Sequence, residues 1–178
     1  MKIVVRHATL EDAADLARMH RATWQAAYRD MLPGHFLQSL DTPELKSIWE
    51  RDIARYREAG NHIMVADTGY GLQGFVMFGR GREGIIPPDT RPGYKLGQIY
   101  SLYVMPDFLG RGLGKAMMKD AFDVLRGEGY TDVYLTTFEA NTAAHKFYEK
   151  QGGINAGIVT TMEFGGKNMP NRTYRWDL

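Results

Sequence analysis

Residues 104–118, "VMPDFLGRGLGKAMM", set Gly110, Gly112 and Gly114 at alternate positions, with Arg111 and Lys115 among them. The stretch joins an apolar run to an amphipathic one, the pattern of a strand turning into a helix. A helix that begins near Gly112 presents unpaired N–H groups and the positive end of its dipole. Glycines remove the β-carbons that would keep a ligand's oxygens away from those amides. The chemistry offered is anion binding: each charge-assisted amide bond contributes about 1.5–3 kcal/mol, and the dipole adds roughly 0.3–1 kcal/mol. A pyrophosphate is the natural guest, with Arg111 and Lys115 as positive charge at its rim. The alternative is a tight turn whose glycines serve conformation alone. A Walker A loop is excluded, because Gly110 to Gly114 is one residue too short and Ala116 stands where the magnesium-binding hydroxyl belongs. A Rossmann fingerprint is excluded by the G-x-G-x-G spacing and by the strands that precede it.

The elements that must carry this loop can be read from periodicity. "KIVVRHA" is a strand, and Thr9 with Asp12 resembles a capping box. Ala13, Leu16, Ala17, His20, Trp24, Ala27, Tyr28 and Met31 then make one apolar helical face, broken at Pro33 and Gly34. A second helix starts with Thr42 as cap and Pro43 in its first turn, and stops at Gly60. "HIMVAD" and "LQGFVMFG" form a hairpin. Residues 80–95 read as a mobile loop that either folds over substrate or is simply solvated. "LGQIYSLYVM" is a strand; residues 112–126 are a helix with Leu113, Ala116, Met117, Ala121, Val124 and Leu125 inward. "DVYLTTF" is a strand, "NTAAHKFYEKQ" a short helix closed by Gly152 and Gly153, and "INAGIVTTMEF" with "NRTYRWDL" a closing hairpin. The order β-α-α-β-β-β-α-β-α-β-β predicts one α/β (α+β) domain over residues 1–178, with a mixed, mostly antiparallel sheet of about seven strands flanked by helices.

Composition narrows the function class. The 178 residues suit one domain with a real core, and 22 basic against 21 acidic residues leave a charge of +1, which argues against nucleic-acid and anionic-membrane partners. The absence of cysteine removes disulfides, thiolate metal sites and cysteine nucleophiles. No G-x-S-x-G elbow surrounds Ser39, Ser47 or Ser101. His7, His20, His35, His62 and His145 show no ligand spacing, so no metal is expected. With neither a secretory signal nor an apolar run long enough for a membrane span, a cytoplasmic protein is expected.

"IYSLYVMPDFLGRGLGKAMM", followed about 30 residues later by "NTAAHKFYEKQGG", resembles the GNAT superfamily of acetyl-CoA-dependent N-acetyltransferases. In that family a [QR]-x-x-G-x-[GA] loop after the fourth strand holds the pyrophosphate of coenzyme A, and an N-x-x-A-x-x-F-Y-E-K-x-G block closes over its pantetheine. The resemblance implies cofactor contacts at Leu109, Gly110, Arg111, Gly112, Leu113, Gly114 and Lys115, at Leu102, Tyr103 and Val104 of the preceding strand, and at Asn141, Ala144, Phe147 and Tyr148. Gly152 completes the second block. The start, "RHATLEDAADLARMHRATWQAAYRDMLP", is similar to one branch of the family whose first helices shape the acceptor pocket. Two positions depart from the pattern: Leu109 replaces the [QR] residue, which removes one polar contact to the pyrophosphate, and Gln98 stands where many members place a glutamate base.

Acetylating an amine has unequal demands. An alkylamine of pKa near 10.4 is only about one part in 2,500 neutral at pH 7, a penalty of roughly 4.6 kcal/mol if nothing assists. The departing thiol, with a pKa near 8.5, needs less help, and a general acid contributes about 10²–10⁴-fold. The resemblance assigns Tyr148 to the coenzyme's sulfur as that acid; a core aromatic is the alternative. Asn141, Ala144 and Tyr148 share one helix face, and Asn141 also suits an N-cap. Glu139 is the nearest plausible carboxylate for the base, through water, against an exposed loop acid. Gln98 and Tyr100 share a strand face and, with Trp24 and Tyr28, are the candidate substrate-binding residues. His20 reads as core. The expected function is transfer of the acetyl group directly to a primary amine of a small molecule or peptide, without a covalent enzyme intermediate. A non-catalytic acyl-CoA sensor is the alternative. The acceptor, the base and a homodimer stay open.

Overall fold

The computed structural model describes residues 2–86, 89 and 91–178. Its seven strands are β1 (Val4–His7), β2 (His62–Asp67), β3 (Leu72–Arg80), β4 (Leu96–Val104), β5 (Asp132–Phe138), β6 (Ile154–Phe164) and β7 (Lys167–Asp177). They form one sheet in the order β1-β2-β3-β4-β5-β7-β6. Pairing is antiparallel between β1 and β2, β2 and β3, β5 and β7, and β6 and β7, and parallel between β4 and β5. The mixed, mostly antiparallel sheet expected from element order is therefore present. The helices are α1 (Ala13–Ala27), α2 (Gly34–Gln38), α3 (Thr42–Glu58), α4 (Leu113–Gly127) and α5 (Thr142–Lys150). Contacts gather into two compact units, Met1–Phe78 with Ser101–Ala121, and Gly79–Tyr100 with Phe122–Leu178. β4 and α4 each run from one unit into the other.

In the first unit, the amide of Thr9 donates to Asp12 Oδ2 at 2.8 Å and starts a 3-10 turn that leads into α1. α1 ends at Ala27, before Met31 is reached. Its buried residues are Ala13, Leu16, Ala17, Met19 and Thr23, so the inner face is rotated toward Met19 and Thr23; Ala27 is exposed, and His20 and Trp24 sit half-buried at its margin. Asp41, not Thr42, caps α3: its carboxylate accepts from the Glu44 amide at 3.3 Å, as suits a residue that caps at least as well as threonine. Leu45, Trp49 and Ile53 of α3 join Leu16, Met19, Phe75, Met117 and Met118 in the core. Full burial stabilises by about 1.5–3 kcal/mol for each large apolar side chain. At Gly74 a β-carbon would lie 2.7 Å from Met117 Cε and 2.9 Å from the Tyr103 carbonyl oxygen, so only glycine lets β3 pack this closely.

The second unit is built on β5 and β7, paired over seven positions from Asp132↔Asp177 to Phe138↔Asn171. Tyr134, Tyr174, Leu135 and Leu125 are buried in it. The closing hairpin is longer than its sequence signal, because β7 starts at Lys167. The loop of residues 80–95 is tied down at its far end. Arg91 donates to both oxygens of the fully buried Asp132 at 3.0 and 2.9 Å, and also to Asp89 at 2.7 Å. The expected mobility of this loop concerns in part Pro87, Pro88 and Thr90, which lie outside the described residues.

Candidate active site

The glycine corner belongs to the first unit. Pro106–Phe108 forms one 3-10 turn after β4, and Leu109 is extended and 64% exposed. Gly110 and Gly112 take φ of 72° and 89°, left-handed values that favour glycine, and nothing lies within 4 Å of where their β-carbons would be. The Ala116 amide closes the first turn of α4 on the Gly112 carbonyl at 3.0 Å. The amides of Leu113, Gly114 and Lys115 therefore have no carbonyl one turn back to receive them. Arg111 lies over the Phe108 ring at 5.1 Å, and Lys115 is exposed. The corner combines bare amides, a helix N-terminus and two cations, a donor set that fits a diphosphate.

On β4 of the same unit, the Tyr103 hydroxyl lies 2.9 Å from that of Tyr28. Trp24 packs edge-on against Tyr28 at 5.3 Å and inclined to Tyr103 at 6.3 Å. Two of the sequence-derived acceptor residues, Trp24 and Tyr28, thus meet a strand residue expected to face the coenzyme. His20 contacts Trp24, Trp49 and Phe75, with centroids 5.1, 5.9 and 6.4 Å apart. Burial pulls its pKa down to about 4, so the ring is neutral at pH 7. Its core reading is thereby half right: the ring packs, but its Nδ1 is buried without a hydrogen-bond partner.

In the second unit α5 carries the later block. Asn141 caps it, its Oδ1 accepting from the Ala144 amide at 3.1 Å, so the side-chain oxygen is engaged and the amide N–H groups remain as donors. Tyr148 is buried, with its ring against Phe147, Tyr174 and Trp176 at 5.3, 6.0 and 6.2 Å. Its carbonyl accepts from the Gly153 amide at 2.9 Å. Glu139, at the end of β5, turns to Arg172 of β7, which donates through Nε to Oε2 at 3.0 Å and through Nη2 to Oε1. That bidentate pair engages both carboxylate oxygens of Glu139.

Gln98 is buried, and its Oε1 accepts from the Tyr134 hydroxyl at 2.8 Å and from the Arg82 amide at 3.3 Å. Its carbonyl oxygen therefore ties the residues after β3 to β5. Tyr100 donates to the Arg80 carbonyl at 2.5 Å, with Arg82 over its ring at 5.4 Å. Sequence reasoning missed Arg172, Tyr174 and Tyr134, whose partners are supplied only by strand register. The one sequence signal for Arg172 and Tyr174 was the alternation of "RTYRW". Among the described residues no group of three His, Asp or Glu side chains is placed to hold a metal, and no helix is long and apolar enough to cross a membrane.

Comparison with known proteins agrees with this architecture. An uncharacterised N-acetyltransferase of Bacillus subtilis is 26% identical over 139 residues, covering 78% of this chain and 73% of its own. A probable N-acetyltransferase of Mycobacterium tuberculosis is 27% identical over 174 residues, covering 97% and 92%. The crystal structure of the PaiA N-acetyltransferase of Thermoplasma acidophilum, in complex with coenzyme A, superposes with a TM-score of 0.74 over the whole of both chains at 17% identity. Residues 18–153, which include both the glycine corner and the α5 block, match the model of the acetyltransferase (GNAT) family, and the chain belongs to that family.

Proposed function

We propose that the protein is an N-acetyltransferase that moves the acetyl group of acetyl-CoA directly onto a primary amine of a small molecule or peptide. The observation that carries this reading is the glycine corner. Gly110 and Gly112 stand in left-handed conformations with open space above them, at the head of a helix, inside a chain of this family. The amides of Leu113, Gly114 and Lys115, with Arg111, would hold the diphosphate of the coenzyme, and the backbone of Leu102–Val104 its pantetheine arm. Leu109 offers only its main chain there, so affinity is lower than with a polar side chain at that position. The coenzyme supplies an acetyl group already activated as a thioester.

The protein's own residues then divide the work. Asn141 caps α5 and keeps its amide donors for the arm, while Ala144 and Phe147 line the same helix. Tyr148 would give its hydroxyl proton to the sulfur as the acyl carbon–sulfur bond breaks and the carbon–nitrogen bond forms, and the proton that the attacking nitrogen sheds would return, through water, to the Tyr148 oxygen. Gln98 cannot accept the amine's proton, and Glu139 is held by Arg172. Glu139 thus acts by fixing the entry to α5, and the acceptor must arrive at, or be driven to, its neutral form by desolvation.

The test is thiol release from acetyl-CoA over a panel of amines, amino acids and peptides, with coenzyme A affinity measured separately by calorimetry. Tyr148→Phe is expected to lower kcat by about 10²–10⁴-fold with coenzyme affinity nearly unchanged. An unchanged rate removes Tyr148 from the mechanism. The engagement of Gln98 by Tyr134 favours one other reading, an acyl-CoA-binding sensor, which tight coenzyme binding without turnover on any amine would establish.

A further inference from the structure

α5 buries His145 and Tyr148, one turn apart on its inner face. An apolar side chain at the first position would have no partner to find, whereas a buried histidine must satisfy two ring nitrogens. Both find oxygen partners on other elements of the second unit. Nε2 lies 3.1 Å from the Glu139 carbonyl oxygen, just after β5, and Nδ1 lies 3.0 Å from the Tyr174 hydroxyl on β7. The same hydroxyl is 2.9 Å from Oε1 of Glu149, in the last turn of α5. Tyr174 thus holds the helix at two places, and His145 holds it to two strands.

The chain from the Glu139 carbonyl to Glu149 has three links, and each needs a proton. A carbonyl only accepts, so Nε2 carries the first. Tyr174 brings the second: burial, and then Glu149 beside it, push its hydroxyl above the ordinary phenol value, so it is protonated at neutral pH. A neutral imidazole and an ionised Glu149 supply no third. Tyr174 could then donate to Nδ1 or to Glu149 but not to both, and the other pair would stand at hydrogen-bond distance with no proton between them. The third proton goes to the stronger base, and imidazole outranks a carboxylate by roughly two pH units. Nδ1 then donates to Tyr174, Tyr174 donates to Glu149, and the ring's positive charge is met by a carboxylate one hydroxyl away. Around the ring stand Glu139 with its carboxylate on Arg172, Tyr174 of β7, and Tyr148 and Glu149 of α5 itself.

We propose that His145, held as an imidazolium by this chain, is a positioning residue for Tyr148. It ties the inner face of α5 to β5 and β7 one turn before Tyr148, whose ring rests on that of Tyr174 at 6.0 Å. The extra proton lets a single hydroxyl hold the helix both at His145 and in the turn that contains Tyr148. The part played for Tyr148 rests on the acetyl-transfer reading; the charge on the ring does not.

The charge is read without substrate, by NMR of the imidazole nitrogens in protein carrying isotope-labelled histidine, with His145→Gln assigning the signal. At about pH 7.5, where an ordinary imidazole is about nine-tenths neutral, both His145 nitrogens are expected to carry protons. Glu149→Gln offers an amide that donates to the Tyr174 hydroxyl, which in turn donates to Nδ1. That variant is expected to leave Nδ1 bare but every link made, with kcat for thiol release from acetyl-CoA within about threefold of wild type. Tyr174→Phe removes the hydroxyl and keeps the ring against Tyr148. It and His145→Leu are each expected to lower kcat at least about tenfold, with the KM for acetyl-CoA changed less than about threefold. The double variant is expected to be no slower than the slower single one. A bare nitrogen on wild-type His145, or two protons on the ring in Glu149→Gln, would overturn the charged bridge. Unchanged kcat in Tyr174→Phe, which tests the bridge should His145→Leu fail to fold, would overturn the positioning role, as would a KM that rises as far as kcat falls. No thiol release by the wild-type protein with any amine would instead overturn the acetyl-transfer reading, and the spectrum alone would then decide the charge.

Discussion

His20 shows how one residue's environment outweighs its type. Burial among Trp24, Trp49 and Phe75 lowers its pKa from 6.5 to about 4. Between those values the unfolded chain binds a proton that the folded chain refuses. Stability therefore falls as pH drops from about 6.5 toward about 4, by at most about 3 kcal/mol in total. His20→Phe is expected to flatten the decline in melting temperature between pH 7 and pH 5, read by circular dichroism at each pH. Glu139 makes the complementary point, because its partner decides its chemistry. With both oxygens on Arg172, Glu139→Gln is expected to lower kcat by less than about tenfold and to leave the acid limb of the pH–rate profile in place. Steady-state kinetics across pH would expose a base by a loss of about 100-fold or more.

At the scale of elements, the strand-to-helix corner at Gly110–Gly114 was legible because glycine is the residue that left-handed φ demands, and the cap at Asn141 because its side-chain chemistry is local. Less legible was what holds α5 in place. The Trp176 indole donates to the Gln151 carbonyl at 3.0 Å, His145 lies between the Tyr174 hydroxyl and the Glu139 carbonyl at 3.0 and 3.1 Å, and Tyr174 donates to Glu149 at 2.9 Å. Each of these pairs a residue at the C-terminal end of the chain with one more than 20 positions earlier, except the bond from His145 to Glu139. Gly153 sits where α5 gives way to β6, and a β-carbon there would meet Trp176 Cζ2 at 2.6 Å and the Tyr148 carbonyl at 2.9 Å. Gly153→Ala is expected to destabilise the protein by about 1–3 kcal/mol through overpacking and to raise the KM for acetyl-CoA, because the shift falls on the helix that bears Tyr148. Chemical denaturation together with initial rates separates the two effects.

For the whole molecule, the buried acid Asp132 is the charge that matters most. Burial alone would raise its pKa, but the Thr131 hydroxyl, Arg91 and Arg175 outweigh burial and hold it below the usual carboxylate value. A depressed carboxylate stabilises above its unfolded pKa, near 3.9, and loses that contribution as pH falls through the folded value. Asp132→Asn is expected to cost less than the roughly 3–5 kcal/mol of a fully buried pair, because both arginines are partly exposed and can turn to water. It is also expected to loosen the 80–95 loop, which hydrogen exchange at residues 91–95 would register. The sequence by itself determined the strands and the four longer helices, whose periodicity is local, though not the short α2, and the family, whose two motifs depend on backbone conformation and short spacing. Only the tertiary structure decided which side chains keep free chemistry. Gln98 with Tyr134, Glu139 with Arg172, and Trp24 with Tyr103 join residues 36, 33 and 79 positions apart. Strand register and helix packing, not composition, bring such partners within a few ångströms.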